Sequence, residues 1–507
     1  MLRTDTTMTI ASMVSRNAVR QASSDKSLLT IFLTSVALVT FSILLLPSIE
    51  SQTTLEQRLS ISRGSHIQQH SFLPDDNLFP QMLIKQNGGK PNQQYEYTPS
   101  ISYHVIFSTG CSIFQDWQSY VFFYHFLKSG QHGHVTRIAS GCKGSDEQDI
   151  RRVFKEQIAI MDPERLHLHL TPDFSHVKPM ISFKYFNKPF GVQHWFTHAL
   201  GYPDRHALHD DTVVILMDPD QIILRPFTND FTNSSESWRN TDPAKRKIKV
   251  EHGSPFAQQY GFGLQWKDKV VMNRIIPNSP VDRMDRREAF DYYMAMGPPY
   301  VATAKDMYAI VTKWCEVVPK VHDQYPHLLA EMFGYNLAAA HLGLRHTIAH
   351  SFAVSDPTAG GEGWKLIDKV SHEDVCTNYP YDELPHVLHY CQRYMLGKWF
   401  IGKYRLRKDF ISCDAPLLTL PPPNIGVKYT YGLSPGDPSN RRAPQPGDRR
   451  EYREHTRKYY AFMVCTLIPA LNDAAIYFKD HNCKTATANY DKTYVFFDDM
   501  TTEEDQL

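Results

Sequence analysis

The sequence has no surplus of either charge: Lys plus Arg number 54 and Asp plus Glu number 54. A chain with no positive excess is poorly built to neutralise the phosphates of a nucleic acid, which puts DNA and RNA aside as partners. It has no short internal repeat, so a solenoid is excluded. It also lacks a P-loop, a GxSxG elbow, a dinucleotide fingerprint, an HExxH pair and paired CxxC motifs. NTPase, serine hydrolase, dehydrogenase and common zinc-enzyme readings therefore have no support. Disorder over most of the length is excluded by what is present, since 42% of the residues are hydrophobic and 12% aromatic.

Long apolar runs are scarce too. One stretch, LLTIFLTSVALVTFSILLLPSI within residues 27–49, is free of charge and supplies about the 20 apolar positions that span a bilayer. A cleaved signal peptide has a shorter apolar region, about 7–15 residues, ending in small residues; this run ends Leu-Leu-Leu-Pro. Arg3, Arg16, Arg20 and Lys26 precede it, and Glu50 and Glu56 follow. The positive-inside rule then predicts a single-pass type II membrane protein of the Golgi or endoplasmic reticulum, with its bulk lumenal. All eight cysteines fall beyond the run, as suits an oxidising compartment, and their pairing stays open. Asn233-Ser-Ser235 is a glycosylation sequon that has meaning only in this orientation.

The expected organisation is a cytosolic tail (1–26), an anchor (27–49) and a Gln/Ser/Asn-rich stem (50–100). A catalytic domain (101–424), a Pro/Gly-rich linker (425–449) and a helical appendage with an acidic tail (450–507) follow. Within the domain, YHVIFST at 103–109 reads as a buried strand. Trp117, Tyr120, Val121, Tyr124 and Leu127 fall at helical spacing, and VTRIAS at 135–140 reads as another strand. Strand, helix, strand within about 40 residues is the βαβ signature of a mostly parallel α/β sheet flanked by helices. Pro189–Leu200 reads as a short helix, and Leu329, Met332, Phe333, Leu337 and Ala340 share another helical face that Gly343 would end. The strongest strand is Thr212–Met217, continuously apolar and followed at once by Asp218-Pro219-Asp220.

Ligands of open α/β sheets bind beyond the carboxyl ends of the strands. Two carboxylates two residues apart at that place can hold a hard cation, Mn²⁺ or Mg²⁺, which neutralises a diphosphate leaving group. The plainer reading is a turn that simply follows a strand. The strand, the lone anchor and the stem together favour a Golgi-type transferase that uses a nucleotide sugar. His206, His209, Asp210 and Asp211 form a weaker cluster in a polar loop, and His167 and His169 fit the polar face of a strand.

Several blocks carry a resemblance: HVIFSTGCSIFQDWQSY, KSGQHGHVTRIASGC, FNKPFGVQHWF, VVILMDPDQIILRPF, SPFAQQYGFG, EMFGYNLAAAHLGLRH and VLHYCQRYMLGKWFIGKYRLRKDFISCDAPLL, in this order between about residues 102 and 424. The chain resembles the hydroxyproline O-arabinosyltransferase and peptidyl serine α-galactosyltransferase group, enzymes of plants and green algae. The resemblance implies a GT-A-like fold and transfer of arabinofuranose or galactose from a UDP-sugar. The acceptors would be hydroxyproline or serine hydroxyls of secreted proteins, and configuration would be retained.

For the site, the resemblance places Asp218 and Asp220 at the metal and nucleotide sugar, with His389 as a third ligand and His386 as its fallback. Glu331 would stabilise the transition state or position the acceptor hydroxyl; an ordinary solvated first-turn glutamate is the rival. Lys188 and Trp195 would lie near the nucleotide or sugar, with packing the rival for the tryptophan. Lys403 and Arg405, in a basic run with Arg407 and Lys408, would contact the diphosphate unless the run is a solvated face. Two other functions share these features, a non-catalytic lumenal glycan-binding protein on the same fold and a transferase acting on polysaccharide.

Overall fold

The structure is a computed structural model that describes residues 102–204, 208–377, 379, 383–433, 449–484 and 486–493. The expected tail, anchor and stem lie outside the described residues, as do most of the linker and the acidic end.

A run of β-branched and aromatic residues with no interior charge folds as β1 (Tyr103–Gly110), and Ser112 caps the helix that follows, α1 (Ile113–Lys128), by accepting from the Gln115 N–H. β2 (His134–Ser140) and β3 (Leu166–Thr171) extend the sheet on one side. β4 (Val213–Met217), fully buried, lies on the other. β6 (Phe256–Gln259), β7 (Met296–Thr303) and β8 (Thr347–Ala349) complete seven strands in the order β3-β2-β1-β4-β7-β6-β8. β7 alone runs against its neighbours β4 and β6; the other pairings are parallel. The mostly parallel α/β sheet expected from the sequence is thus present as a mixed sheet. Six strands point the same way, so the ends of β1, β2, β4 and β6 share one edge.

Alternation along the strands builds two cores. Val105, Phe107, Val213, Ile215 and Met217 enter one and Ile106, Val214 and Leu216 the other, as a period of two requires. On the second face lie α2 (Asn187–His194), α3 (Ala304–Gln324) and α4 (Ala330–His341). Gly334 of α4 meets the Trp314 ring of α3, where an added Cβ would stand 2.8 Å from Cδ1. Gly343, at φ +68°, ends α4 where the sequence places a stop.

On the first face α1 packs with α5 (Glu454–Asn482), the long helix of the stretch expected as an appendage. α5 shares this core through Phe462, Met463 and Leu467. It is tied to the rest by the disulfides Cys376–Cys465 and Cys413–Cys483. Lys479 donates to the carbonyls of Ser412 and Ala415, both at 2.7 Å. Among the described residues α5 is the one helix long and apolar enough to cross a membrane, and most of it is buried inside the protein.

A small sheet joins the site to this frame. Its strands are β5 (Gln221–Ile223), β9 (Ala353–Val354) and β10 (Val387–His389), in the order β5-β10-β9, with His389 paired opposite Gln221. A hairpin of β11 (Arg393–Leu396) and β12 (Trp399–Gly402) follows and delivers Lys403.

Candidate active site

The turn that ends β4 is held by Gln221. Its Oε1 accepts from the Asp218 N–H at 2.9 Å, and its Nε2 donates to the Pro298 carbonyl at 3.1 Å. Gln221 is fully buried, so the clamp is rigid, and it leaves Asp218 half-buried and Asp220 buried at the sheet edge. The register of β10 against β5, extended by the Tyr390 N–H donating to the Asp220 carbonyl at 3.0 Å, brings His389 alongside. His389 Nε2 lies 3.4 Å from Asp220 Oδ1. One ligand atom each of Asp218, Asp220 and His389 falls within 4.8 Å of the others.

The orientation of the imidazole follows from its neighbour. Tyr260 donates its hydroxyl proton to the Pro298 carbonyl at 2.6 Å, and its oxygen lies 3.0 Å from His389 Nδ1. Nδ1 must then carry the donated hydrogen, which turns Nε2 toward the carboxylates; metal-binding histidines are commonly oriented in this way.

Two lysines balance the acids. Lys188, from the first turn of α2, lies 2.6 Å from Asp218 and 3.2 Å from Glu331. Burial works against its charge, but Asp218 and Glu331 overcome that and raise its pKa. Lys403 pairs with Asp220, and the same contest again favours the ammonium. For Asp220, burial favours protonation, yet Lys403 and His389 hold the carboxyl far below its ordinary value. Glu331 behaves in the opposite sense. Burial pushes its carboxyl up to about 7, with Lys188 opposing and Asp218 assisting. A buried carboxyl poised near neutrality is suited to taking or giving a proton.

Asp218, Asp220, His389, Glu331, Lys188 and Lys403 are therefore brought together, from β4, α4, α2 and the strands around β10. Glu331 is 4% exposed, so the solvated first-turn reading does not hold. Three expectations are corrected. Trp195 is 2% exposed and packs in the second core, edge-on to His104 at 4.8 Å, so its bulk fills space and does not face a ligand. Arg405 lies on the exposed surface and Arg407 pairs there with Asp409 and Asp414, whereas Lys403 of the same run pairs with Asp220 in the centre. His386 is fully buried and engaged by Glu236 at 2.9 Å and the Arg225 carbonyl at 3.1 Å, which leaves it no role as a ligand. In the weaker cluster, His206 lies outside the described residues, and Asp210 accepts from the Tyr202 hydroxyl at 2.8 Å.

Tyr260, Gln221 and Cys391 carry no signal in the sequence that would assign them to the site. Tyr260 lies in the block SPFAQQYGFG, but nothing in its spacing marks a residue that orients a histidine. Cys391 is a half-buried free thiol beside His389.

Comparison with known proteins places this geometry. Residues 103–238, which include the strand and aspartates of the centre, match the "Hydroxyproline O-arabinosyltransferase family N-terminal domain". The match to that family is confined to these residues. The family domain continues into similarity with two curated proteins. A peptidyl serine alpha-galactosyltransferase of Arabidopsis thaliana is 26% identical over 348 residues, covering 67% of this chain and 36% of that protein. One of Chlamydomonas reinhardtii is 23% identical over 402 residues, covering 78% of this chain and 48% of that protein. The chain thus spans less than half the length of either. Among solved structures, the WbbM bifunctional glycosyltransferase aligns with TM-score 0.32 and 8% identity over 62% of this chain and 48% of that one. The galactosyltransferase LgtC aligns with TM-score 0.31 and 11% identity over 57% of this chain and 87% of that one.

Proposed function

We propose that this chain is a GT-A-like glycosyltransferase that uses a divalent cation, Mn²⁺ or Mg²⁺, to move a sugar from a UDP-sugar to a hydroxyl of a peptide serine or hydroxyproline. The observation that carries the reading is the convergence of Asp218, Asp220 and His389 within 4.8 Å at the carboxyl edge of the sheet. Two carboxylates and an imidazole suit a first-row divalent ion better than a soft one. When bound there, the cation supplies charge that stabilises the departing diphosphate.

The other residues have work of their own. In the transfer, the bond from the anomeric carbon to the phosphate oxygen breaks and a bond to the acceptor oxygen forms. The acceptor loses its proton, and UDP departs. Lys403, beside Asp220, is placed to meet the diphosphate once its carboxylate partner is shared. Lys188 fixes Asp218 and Glu331 relative to each other. Glu331 is placed to position the acceptor hydroxyl and to receive its proton. Arabinofuranose and galactose are the donor sugars to be expected, with retention of configuration.

The proposal includes the cell's secretory pathway. Residues 27–49 would anchor a type II protein in the Golgi or endoplasmic reticulum membrane, with the described residues lumenal. Six of the eight cysteines are joined in three disulfides, which supports an oxidising compartment. Asn233 of the sequon is exposed, as glycosylation requires. The test is thermal stability with UDP and Mn²⁺ together: a rise that neither gives alone is expected, and no rise with any nucleoside diphosphate would refute the site. Glycosylation at Asn233 in a eukaryotic host tests the topology.

A further inference from the structure

Large apolar side chains normally leave the surface, and where several stay exposed together something covers them. Such a group borders the candidate centre. Ile113 is 62% exposed, Tyr404 41% and Tyr185 37%, and Phe114 is half-buried. They come from three separate stretches: the start of α1, the segment after β12 and the turn before α2. Phe114 and Tyr404 stack with ring centroids 5.3 Å apart and planes 12° from parallel. Lys403, which pairs with Asp220, has its Nζ 5.2 Å from the Tyr404 centroid. Tyr185 stands three residues before Lys188, and burial raises its hydroxyl pKa, with Tyr404 and Glu331 adding to the rise and Lys403 and Lys188 opposing it. The aromatic rim thus adjoins Lys403 through Tyr404 and lies three residues along the chain from Lys188 through Tyr185.

The charged groups inside suit a diphosphate, but the rim offers chiefly ring faces. A single nucleobase would cover one stacked pair. An extended chain, advancing about 3.1 Å per residue in polyproline II form, can lie along the rim. Aromatic-lined grooves are a recurrent way of holding such chains, because the flat faces of pyrrolidine rings stack on them at little entropic cost.

We propose that Ile113, Phe114, Tyr185 and Tyr404 form the acceptor subsite, seating an extended, proline- or hydroxyproline-rich peptide across the mouth so that one hydroxyl reaches Glu331 and the carboxylate centre. This rests on the transferase reading above, whose residues it does not share apart from their neighbours.

The test uses the full chain in detergent, with UDP and Mn²⁺ present. The probe is a fluorescein-labelled synthetic peptide of alternating serine and hydroxyproline, followed by anisotropy. Tyr185→Ala and Tyr404→Ala should each weaken peptide binding about tenfold, in line with loss of a stacked ring. Tyr185→Phe and Tyr404→Phe should restore it to within twofold, and UDP affinity should change less than twofold throughout. Unchanged peptide affinity in both alanine variants would overturn the proposal. So would an equal loss of UDP affinity, which would mark the rim as a nucleobase platform. If the unmodified chain binds UDP with Mn²⁺ but no peptide, the acceptor subsite fails and the metal centre stands. If it binds neither, the transferase reading itself fails.

Discussion

Lys188 lies between Asp218 and Glu331, 2.6 Å from the first and 3.2 Å from the second, so a single ammonium neutralises a candidate metal ligand and the candidate base together. Removing it should leave two buried carboxylates facing each other. Lys188→Met is expected to lower transfer at least 100-fold. It should also cost on the order of 3 kcal/mol of stability at pH 8, the scale for breaking a buried ion pair from one side. Denaturant unfolding beside an activity assay checks both; loss of activity at unchanged stability would mean that Lys188 acts only on substrate.

Glu331 gives that centre a pH signature. Its carboxyl titrates near 7 in the folded chain against 4.5 in the reference state. The proton is therefore bound more tightly when folded, and this contribution is fully present below pH 4.5 and lost as pH rises through 7. A difference of that size between the two states is worth roughly 3 kcal/mol. Between pH 5 and 8 the unmodified chain should lose more stability than Glu331→Gln, which lacks the titrating group. Equal slopes for the two proteins would show that Glu331 is not held neutral by burial.

His386 and His389, three residues apart, should separate cleanly. His386 supports Glu236, whose carboxyl is held at about 2, against the cost of burial, by His386, Arg225 and Ser351. His386→Ala should destabilise the fold by about 3 kcal/mol, with little effect on Mn²⁺ affinity. His389→Ala should weaken Mn²⁺ binding at least tenfold, measured by titration calorimetry, and change stability less. The reverse pattern would exchange their roles.

Gly334 is where α3 and α4 meet. An alanine Cβ there would press on Trp314 at 2.8 Å and Val318 at 3.0 Å. Gly334→Ala should cost about 1–3 kcal/mol, the usual range for overpacking. The same helix bears Glu331, and Trp314 Nε1 donates to the Glu331 carbonyl at 2.8 Å, so activity should fall with stability. A variant of unchanged melting temperature would show that the helices can move apart freely.

Much of this was legible in the sequence and some was not, for physical reasons. The apolar strand that ends in Asp218-Pro219-Asp220 announced itself because a central strand needs unbroken hydrophobicity and a metal needs carboxylates at its end. The helix of Glu331 was visible from its 3.6-residue period, but whether its glutamate faced water could not be read, since α3 and Lys188 bury it from distant parts of the chain. Trp195 follows Lys188 by seven residues, nearly the same helical face but about 10 Å farther along the axis, where it packs in the second core against His104. Lys403, Arg405 and Arg407 looked alike as a run. Only the register of the hairpin before them decides that Lys403 reaches Asp220. The reversed β7 and the disulfides that tie α5 into the core depend on long-range pairing, which no local pattern encodes.

The most direct test of the central claim is transfer of radiolabelled sugar from UDP-galactose or UDP-arabinofuranose to a serine- and hydroxyproline-containing peptide. It should compare the full chain with Asp220→Asn, each with and without Mn²⁺. The account predicts product only with the cation, and a loss of at least 1000-fold in the variant. Transfer that survives removal of divalent cations, or that Asp220→Asn performs as well as the unmodified chain, would contradict it.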